Sequence, residues 1–141
     1  MSITIRKTDD IKACLALRLV VFVDEQNVPL EEEIDAFDDV ATHFLAEDEA
    51  GMAVGTARII EVGEIGKIGR VCVEKSQRGT GLGAALIETC LADLKTRPHI
   101  KTAKLGAQNH AIGFYERFGF RVIGDEYMDG GIPHHDMVLA L

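Results

Sequence analysis

The chain has 141 residues, 47% of them hydrophobic, and a formal net charge of −8 at pH 7. That length and composition are typical of one folded domain with a packed core, so a mainly disordered chain is not expected. The negative charge argues against a general nucleic-acid-binding protein, because a phosphate backbone requires a basic face.

Membrane attachment, a disulfide framework and a metal site are also not expected. No apolar run reaches the roughly 18 residues that span a bilayer, and the N-terminus lacks a signal-peptide core, so we expect a cytoplasmic protein. Three cysteines, an odd number without CxxC spacing, lie in apolar segments and are predicted to be buried free thiols: Cys14, Cys72 and Cys90. His134, His135 and Asp136 are adjacent on a predicted strand, where neighbouring side chains point to opposite faces, so they suit a shared metal poorly.

The first half of the chain predicts a strand, a helix, an acidic segment and a hairpin. The first strand is expected at Ser2–Arg6, and Thr8 or Asp9 can cap a helix that ends near Gln26. The acidic segment from residue 30 to residue 42 is either a short helix or an ordered loop. The hairpin strands are expected at His43–Asp48 and Met52–Val62.

The second half alternates strands with helices. We predict strands at Gly66–Glu74, Lys101–Gly106, Phe120–Ile123 and Met137–Leu141, and helices at Gly81–Arg97 and Asn109–Phe118. Hairpins together with strand–helix–strand units indicate an α/β fold with mixed parallel and antiparallel pairing. No linker or repeat interrupts the pattern, so we expect a single domain over residues 1–141.

A glycine-rich turn joins a predicted strand to the longest predicted helix. It reads Arg78-Gly79-Thr80-Gly81-Leu82-Gly83-Ala84. Glycines allow close backbone approach, and a helix N-terminus offers unpaired N–H groups to an anion such as a pyrophosphate. No Lys-Ser/Thr follows, as a phosphate loop would require, and the turn does not follow the first strand, as in a dinucleotide fold. A plain strand-to-helix turn remains the alternative on the glycines alone.

This turn resembles the Gln/Arg-x-x-Gly-x-Gly/Ala signature of GNAT acetyltransferases. A second block, Ala111-Ile112-Gly113-Phe114-Tyr115-Glu116-Arg117-Phe118-Gly119-Phe120, is similar to the A-x-x-F-Y-x-x-x-G-F block of the same family. The resemblance implies a central mixed sheet of about six or seven strands flanked by about four helices. It also implies direct transfer of an acetyl group from acetyl-CoA to a primary amine of a small molecule, peptide or protein, without a metal.

The resemblance implies roles for the matching residues. The backbone of Val71, Cys72 and Val73 would pair with the pantetheine arm of the cofactor. Amides from the glycine-rich turn would hold the pyrophosphate: Arg78, Gly79, Thr80, Gly81, Leu82, Gly83 and Ala84. Gln108 stands where relatives often have a cofactor-binding Asn, with Asn109 as the expected helix cap. Tyr115 matches the proton donor to the leaving thiolate.

The general base is missing from its expected place. Relatives often carry a Glu on the strand before the turn, but the stretch here is Lys67-Ile68-Gly69-Arg70. The N-terminal segment and Gly131-Ile132-Pro133-His134 look like a small bacterial GNAT subgroup with an unassigned acceptor. Acceptor-side candidates are Phe22, Glu25, Glu33 and Asp35; further base candidates are Glu31, His43, His110, His134 and His135. A solvated acidic face is the alternative for the carboxylates.

Two other functions remain open at this point. A non-catalytic acetyl-CoA sensor would keep the turn but need neither Tyr115 nor a base. An acyl-homoserine-lactone synthase has a similar N-terminal pattern, here Arg18, Phe22, Glu33, Asp35, Asp38 and Arg58. The short chain, the absence of tryptophan and the intact pyrophosphate signature argue against the synthase. The acceptor is not assigned, and a homodimer is left open.

Overall fold

The computed structural model of the protein describes residues 3–33 and 35–141. The strands are β1 Thr4–Thr8, β2 Thr42–Glu47, β3 Ala53–Val62, β4 Ile65–Val73, β5 Thr102–Gln108, β6 Arg121–Asp129 and β7 Ile132–Ala140. The α-helices are α1 Ile11–Arg18, α2 Leu30–Glu33, α3 Leu82–Lys95 and α4 Ile112–Glu116. The predicted start of the first strand at Ser2 lies outside the described residues.

The strands form one mixed sheet in the order β1-β2-β3-β4-β5-β7-β6. Over the described residues, neighbouring strands are antiparallel except for β4 and β5, which are parallel across the α3 crossover. The predicted mixed α/β fold is therefore confirmed.

The sheet opens between β4 and β5. Their parallel ladder covers only Ile65–Lys67 against Thr102–Lys104. Beyond it, β5 stays paired with β7 as far as Gln108 against His134, while β4 stays paired with β3. The facing edges of β4 and β5 therefore diverge toward their carboxyl ends, so the ladder between these two strands stops beside a gap.

Apolar side chains cover both faces of the sheet. Helix α3 packs on one face with buried Leu86, Ile87, Cys90 and Leu94. A smaller cluster on the other face joins Leu17 and Val21 to Cys72 of β4. All three cysteines are free and buried, as predicted. Burial raises the pKa of Cys14 to about 11 and those of Cys72 and Cys90 to about 12, so these thiols stay protonated.

The first helix differs from its prediction in its cap and its last turns. The cap is Asp10, whose carboxylate accepts from the Ala13 amide, rather than Thr8 or Asp9. After Arg18 the chain continues as a π-helical segment, Leu19–Glu25, before the predicted end at Gln26. Such widened turns are common at functional sites. The following acidic segment is α2 together with a 3₁₀ turn at Ala36–Asp39.

The last two strands are longer than predicted. They form a hairpin whose turn is Gly130-Gly131, with φ angles of 60° and 77° that favour glycine. The sequence near the turn is polar, so it lacks the apolar alternation from which strands are predicted. Within the described residues, no helix is long and apolar enough to cross a membrane.

Candidate active site

A bulge in β4 shapes the open edge of the sheet. The pairing register between β3 and β4 shifts by one residue between Thr56 and Arg58. Within this bulge Arg70 has a φ of 50°, a left-handed conformation that is uncommon for a non-glycine residue. A bulge bends its strand and redirects a side chain, and here the redirected side chain is Arg70.

A cleft of about 610 Å³ lies against this bulge. Its walls come from the bulged half of β4, the diverging half of β5, the π-helical segment and the β6–β7 hairpin. That volume is within the range of small-molecule sites. The sequence-predicted residues that line it are Phe22, Glu33, Asp35, Val71, Cys72, Val73, Arg78, Gln108, His110, Tyr115 and His134.

The glycine-rich turn has the backbone geometry of an anion site. Gly79 and Gly81 have φ angles of 79° and 90°, and Gly81 is the left-handed N-cap of α3. No side chain caps this helix, so its first amides keep their hydrogen-bonding capacity. A Cβ added at either glycine would meet nothing within 4 Å, so open space lies over the turn. Leu82 is buried and anchors the turn to the core.

Arg78 bridges this turn and the end of β4. Its Nε donates to the Val73 carbonyl at 3.1 Å, and its Nη2 lies 2.6 Å from a Glu25 carboxylate oxygen. The structure therefore places Glu25, predicted on the acceptor side, against the predicted cofactor turn.

Six charged residues form a cluster on the α1 side of the sheet, which we call the Arg–carboxylate cluster. Its members are Arg18, Glu33, Asp35, Asp38, Arg58 and Arg70. The ion pairs are Arg18–Glu33 at 2.6 Å, Arg18–Asp38 and Arg58–Asp38 at 2.8 Å, Arg58–Asp35 and Arg70–Glu33 at 2.8 Å, and Arg70–Asp35 at 3.1 Å. Three cations thus face three carboxylates, so the cluster is formally neutral.

The arginines favour the ionised form of two carboxylates in this cluster, Asp35 and Asp38. A hydrogen bond from Arg58 lowers the pKa of Asp35 against the opposing effect of burial. Burial alone would raise the pKa of Asp38, but hydrogen bonds from Arg18 and Arg58 lower it. Glu33 is 2% exposed and lies between Arg18 and Arg70, so its charge is already matched.

Most residues of the N-terminal pattern that resembles acyl-homoserine-lactone synthases lie in this cluster. Of its six residues, five are cluster members, and Phe22 lines the cleft instead. The pattern marks a structural element that ties α1, α2 and β3 together. The role of Arg70 was not predicted, and the only sequence signal was that Arg70 ends the stretch in which relatives often have Glu.

Tyr115 lies in the cleft wall on α4. Its ring packs edge-on against Phe114 and Phe120, with centroids 5.0 Å and 6.2 Å away. Burial raises its pKa to about 12, so the phenol is protonated throughout the neutral range. Its hydroxyl has no hydrogen-bond partner among the residues described here, which leaves that proton available to a ligand.

Gln108 joins two elements at the open end of β5. Its Nε2 donates to Gln26 at 2.9 Å, and its Oε1 accepts from His110 at 2.7 Å. Asn109 does not cap α4 as expected, because its side chain contacts Glu126 and His135. Gln26 was not identified from the sequence.

The β6–β7 hairpin supplies the remaining wall. The Tyr127 hydroxyl donates to Asp136 at 2.6 Å, and the Tyr127 ring stacks on His134 at 5.8 Å. A Cβ at Gly106 would collide with the Tyr127 hydroxyl, so this arrangement requires glycine on β5. Tyr127 was missed in the sequence because its strand lacked a recognisable pattern.

Comparisons with known proteins are consistent with this geometry. A family model described as an acetyltransferase (GNAT) domain matches residues 17–141. The chain is 36% identical to the uncharacterized N-acetyltransferase YjcF of Bacillus subtilis (strain 168), with 94% of each chain covered. It is 32% identical to crystalline Escherichia coli ElaA, with a TM-score of 0.87 over 97% of this chain and 99% of that one. A Bacillus subtilis acetyltransferase crystallised with CoA shares the fold at 16% identity, with a TM-score of 0.75 over 99% of both chains.

Proposed function

Because this chain belongs to the GNAT family of acetyltransferases, we propose that it moves an acetyl group from acetyl-CoA to a primary amine of a small molecule, peptide or protein. The observation that carries this proposal is that one cleft is lined by the open edge of β4, by Tyr115 and by Arg78. Arg78 is the first residue of the glycine-rich turn that leads into α3. A cofactor thioester and an amine must meet in such a cleft for direct transfer.

The cofactor would lie along the gap between β4 and β5. Backbone groups of Val71, Cys72 and Val73 on the open edge would pair with the amides of the pantetheine arm. The left-handed glycines and the uncapped first turn of α3 would hold the diphosphate. A Bacillus subtilis acetyltransferase with the same fold was crystallised in complex with CoA, which supports a CoA site on this fold.

Arg78 would add a cation beside the diphosphate. Its side chain is 44% exposed and Glu25 is 30% exposed, so their ion pair is a weak surface pair that a phosphate can replace. Glu25 would then hold Arg78 near the turn while the cofactor site is empty.

Tyr115 would protonate the departing thiolate. The amine nitrogen attacks the thioester carbonyl carbon, the C–S bond of the resulting intermediate breaks, and the sulfur leaves with the electron pair. The Tyr115 phenol gives its proton to that sulfur and regains one from the nitrogen of the intermediate. Because its pKa is about 12, the Tyr115 phenol is protonated before each transfer.

The test is a screen for CoA release with a panel of amines. Purified protein is mixed with acetyl-CoA and polyamines, amino acids, aminoglycosides or peptides, and the products are identified by mass spectrometry. We expect a gain of one acetyl group on at least one amine, with release of one equivalent of CoA. Tight binding of acetyl-CoA without release above the rate of its hydrolysis would contradict the proposal and favour a sensor.

A further inference from the structure

Acetyl transfer at neutral pH requires a base, because a primary amine is mostly an ammonium ion there. Of the four carboxylates considered from the sequence, Glu31 does not line the cleft and the other three are paired with arginines. Glu33 and Asp35 are held by arginines, and Arg58 lowers the pKa of Asp35. Glu25 lies against Arg78 on the cofactor side. Each of these carboxylates is already paired with an arginine, so an acceptor ammonium would have to displace that partner.

His134 is placed differently from those carboxylates. It lies on β7 in the cleft wall and is 8% exposed. In the β5–β7 register it faces Gln108, on the strand that diverges from β4. Its ring is fixed by stacking on Tyr127.

The hydrogen bonds of His134 decide which nitrogen can accept a proton. Its Nδ1 lies 2.7 Å from the Ile132 carbonyl oxygen, which can only accept, so Nδ1 carries the hydrogen. In the neutral ring Nε2 therefore holds a lone pair. No hydrogen bond joins that Nε2 to another of the described residues.

We propose that His134 Nε2 is the general base that deprotonates the acceptor amine, a catalytic role that rests on the proposed acetyl transfer. The ammonium of the acceptor gives one proton to Nε2, and the ring becomes an imidazolium. The freed nitrogen lone pair attacks the thioester, and the second nitrogen proton reaches the leaving sulfur through Tyr115. The imidazolium then returns its proton to solvent, so the net products are amide, CoA thiol and one proton.

The groups around His134 are compatible with this role. Tyr127 faces His134 from β6. The other titratable side chains that line this part of the cleft are Asp136 on β7, Lys104 on β5, Asp129 on β6 and His110 after β5. Burial and the hydrogen bond to Asp136 raise the pKa of Tyr127, so this phenol stays protonated at neutral pH. The Tyr127 hydroxyl donates its hydrogen bond to Asp136, so this hydroxyl does not donate to His134 Nε2.

The test compares kcat/KM as a function of pH for the wild type and H134N, using an amine that the wild type acetylates. Asparagine keeps an N–H that can donate to the Ile132 carbonyl but cannot accept a proton at neutral pH. We expect kcat/KM at pH 7 to fall by about 10²–10⁴-fold. In H134N the acidic limb of the profile should move to higher pH, toward the pKa of the amine itself, so the loss of kcat/KM becomes smaller as pH rises.

The matched control is H135N, because His135 bonds Asn109 and does not line the cleft. It should keep the wild-type profile. If the acidic limb of the kcat/KM profile lies at the same pH in H134N as in the wild type, His134 is not the base, and the acetyltransferase proposal is unaffected. Absence of transfer to any amine by the wild type would overturn both.

A second measurement does not depend on turnover or on the folding of a variant. The ¹⁵N shifts of the His134 ring in the wild type at pH 8 should show a protonated Nδ1 and a bare Nε2. The opposite tautomer would contradict the proposal.

Discussion

Arg18 Nε lies 2.6 Å from a Glu33 carboxylate oxygen, and the two side chains are 1% and 2% exposed. This buried pair joins α1 to α2. Arg70 reaches the same carboxylate from the β4 bulge at 2.8 Å. The wall on the proposed acceptor side therefore depends on ion pairs, whereas the α3 side depends on apolar packing.

Removing the Glu33 charge should destabilise the fold. Glu33→Gln leaves two largely buried guanidinium groups without a full countercharge, which costs about 3–5 kcal/mol in comparable buried pairs. Urea unfolding followed by circular dichroism measures the change in the free energy of unfolding. Glu31→Gln is the matched control: the exposed residue lies two positions earlier on α2, and the change should cost under about 0.5 kcal/mol. Equal stability of the two variants would show that the cluster does not support the fold.

Acid should remove the contribution of Asp35 to stability. The folded-state pKa of Asp35 lies below its ordinary value of 3.8, so the unfolded chain binds its proton first. That contribution is present above pH 3.8 and is lost as pH falls through the lower folded pKa. The difference in unfolding free energy between wild type and Asp35→Asn should therefore narrow below about pH 4. A difference that stays constant from pH 7 to pH 3 would contradict the ion-pair account.

Gly81 should be required for cofactor affinity beyond its effect on stability. Gly81→Ala places a Cβ on a residue with φ of 90°, which costs about 1–2 kcal/mol, and the Cβ would project into the space over the turn. Gly51→Ala is a matched control, because Gly51 has φ of 78°, meets nothing within 4 Å and lies in the β2–β3 turn. Calorimetric titration with acetyl-CoA should show weaker binding for Gly81→Ala and wild-type affinity for Gly51→Ala. Equal affinities for the two variants would remove the diphosphate site from this turn.

Loss of the Tyr115 hydroxyl should slow the chemical step. Tyr115→Phe keeps the packing against Phe114 and Phe120 but removes the acidic proton, so kcat should fall by about 10²-fold with little change in acetyl-CoA affinity. The protonated phenol is lost only as pH rises through about 12, so wild-type activity should show no decline from this residue below pH 10. An unchanged kcat would show that water or another group protonates the thiolate.

The parts of the fold built on local patterns could be predicted from the sequence. The strand before the glycine turn and the helix after it follow from apolar periodicity, and Gly81 has the left-handed φ that its place in the turn implies. The Arg–carboxylate cluster could not be predicted in the same way. Arg70 contacts Glu33 across 37 positions, and neither residue type nor spacing in the sequence indicates that contact.

The β6–β7 wall shows a second limit of sequence reasoning. Tyr127 and His134 lie in polar stretches, and they meet because the hairpin register pairs them. The sequence does not distinguish His134 from the other histidines as a base. The hydrogen bond from its Nδ1 to the Ile132 carbonyl, which leaves Nε2 without a partner among the described residues, is visible only in the structure.

The most direct test of the central claim is a crystal structure of the protein with CoA bound. We predict the diphosphate against the amides of the Arg78–Ala84 turn, the pantetheine arm along the open edge of β4, and the sulfur beside the Tyr115 hydroxyl. Electron density for CoA at any other place, or no density at a saturating concentration, would contradict the account.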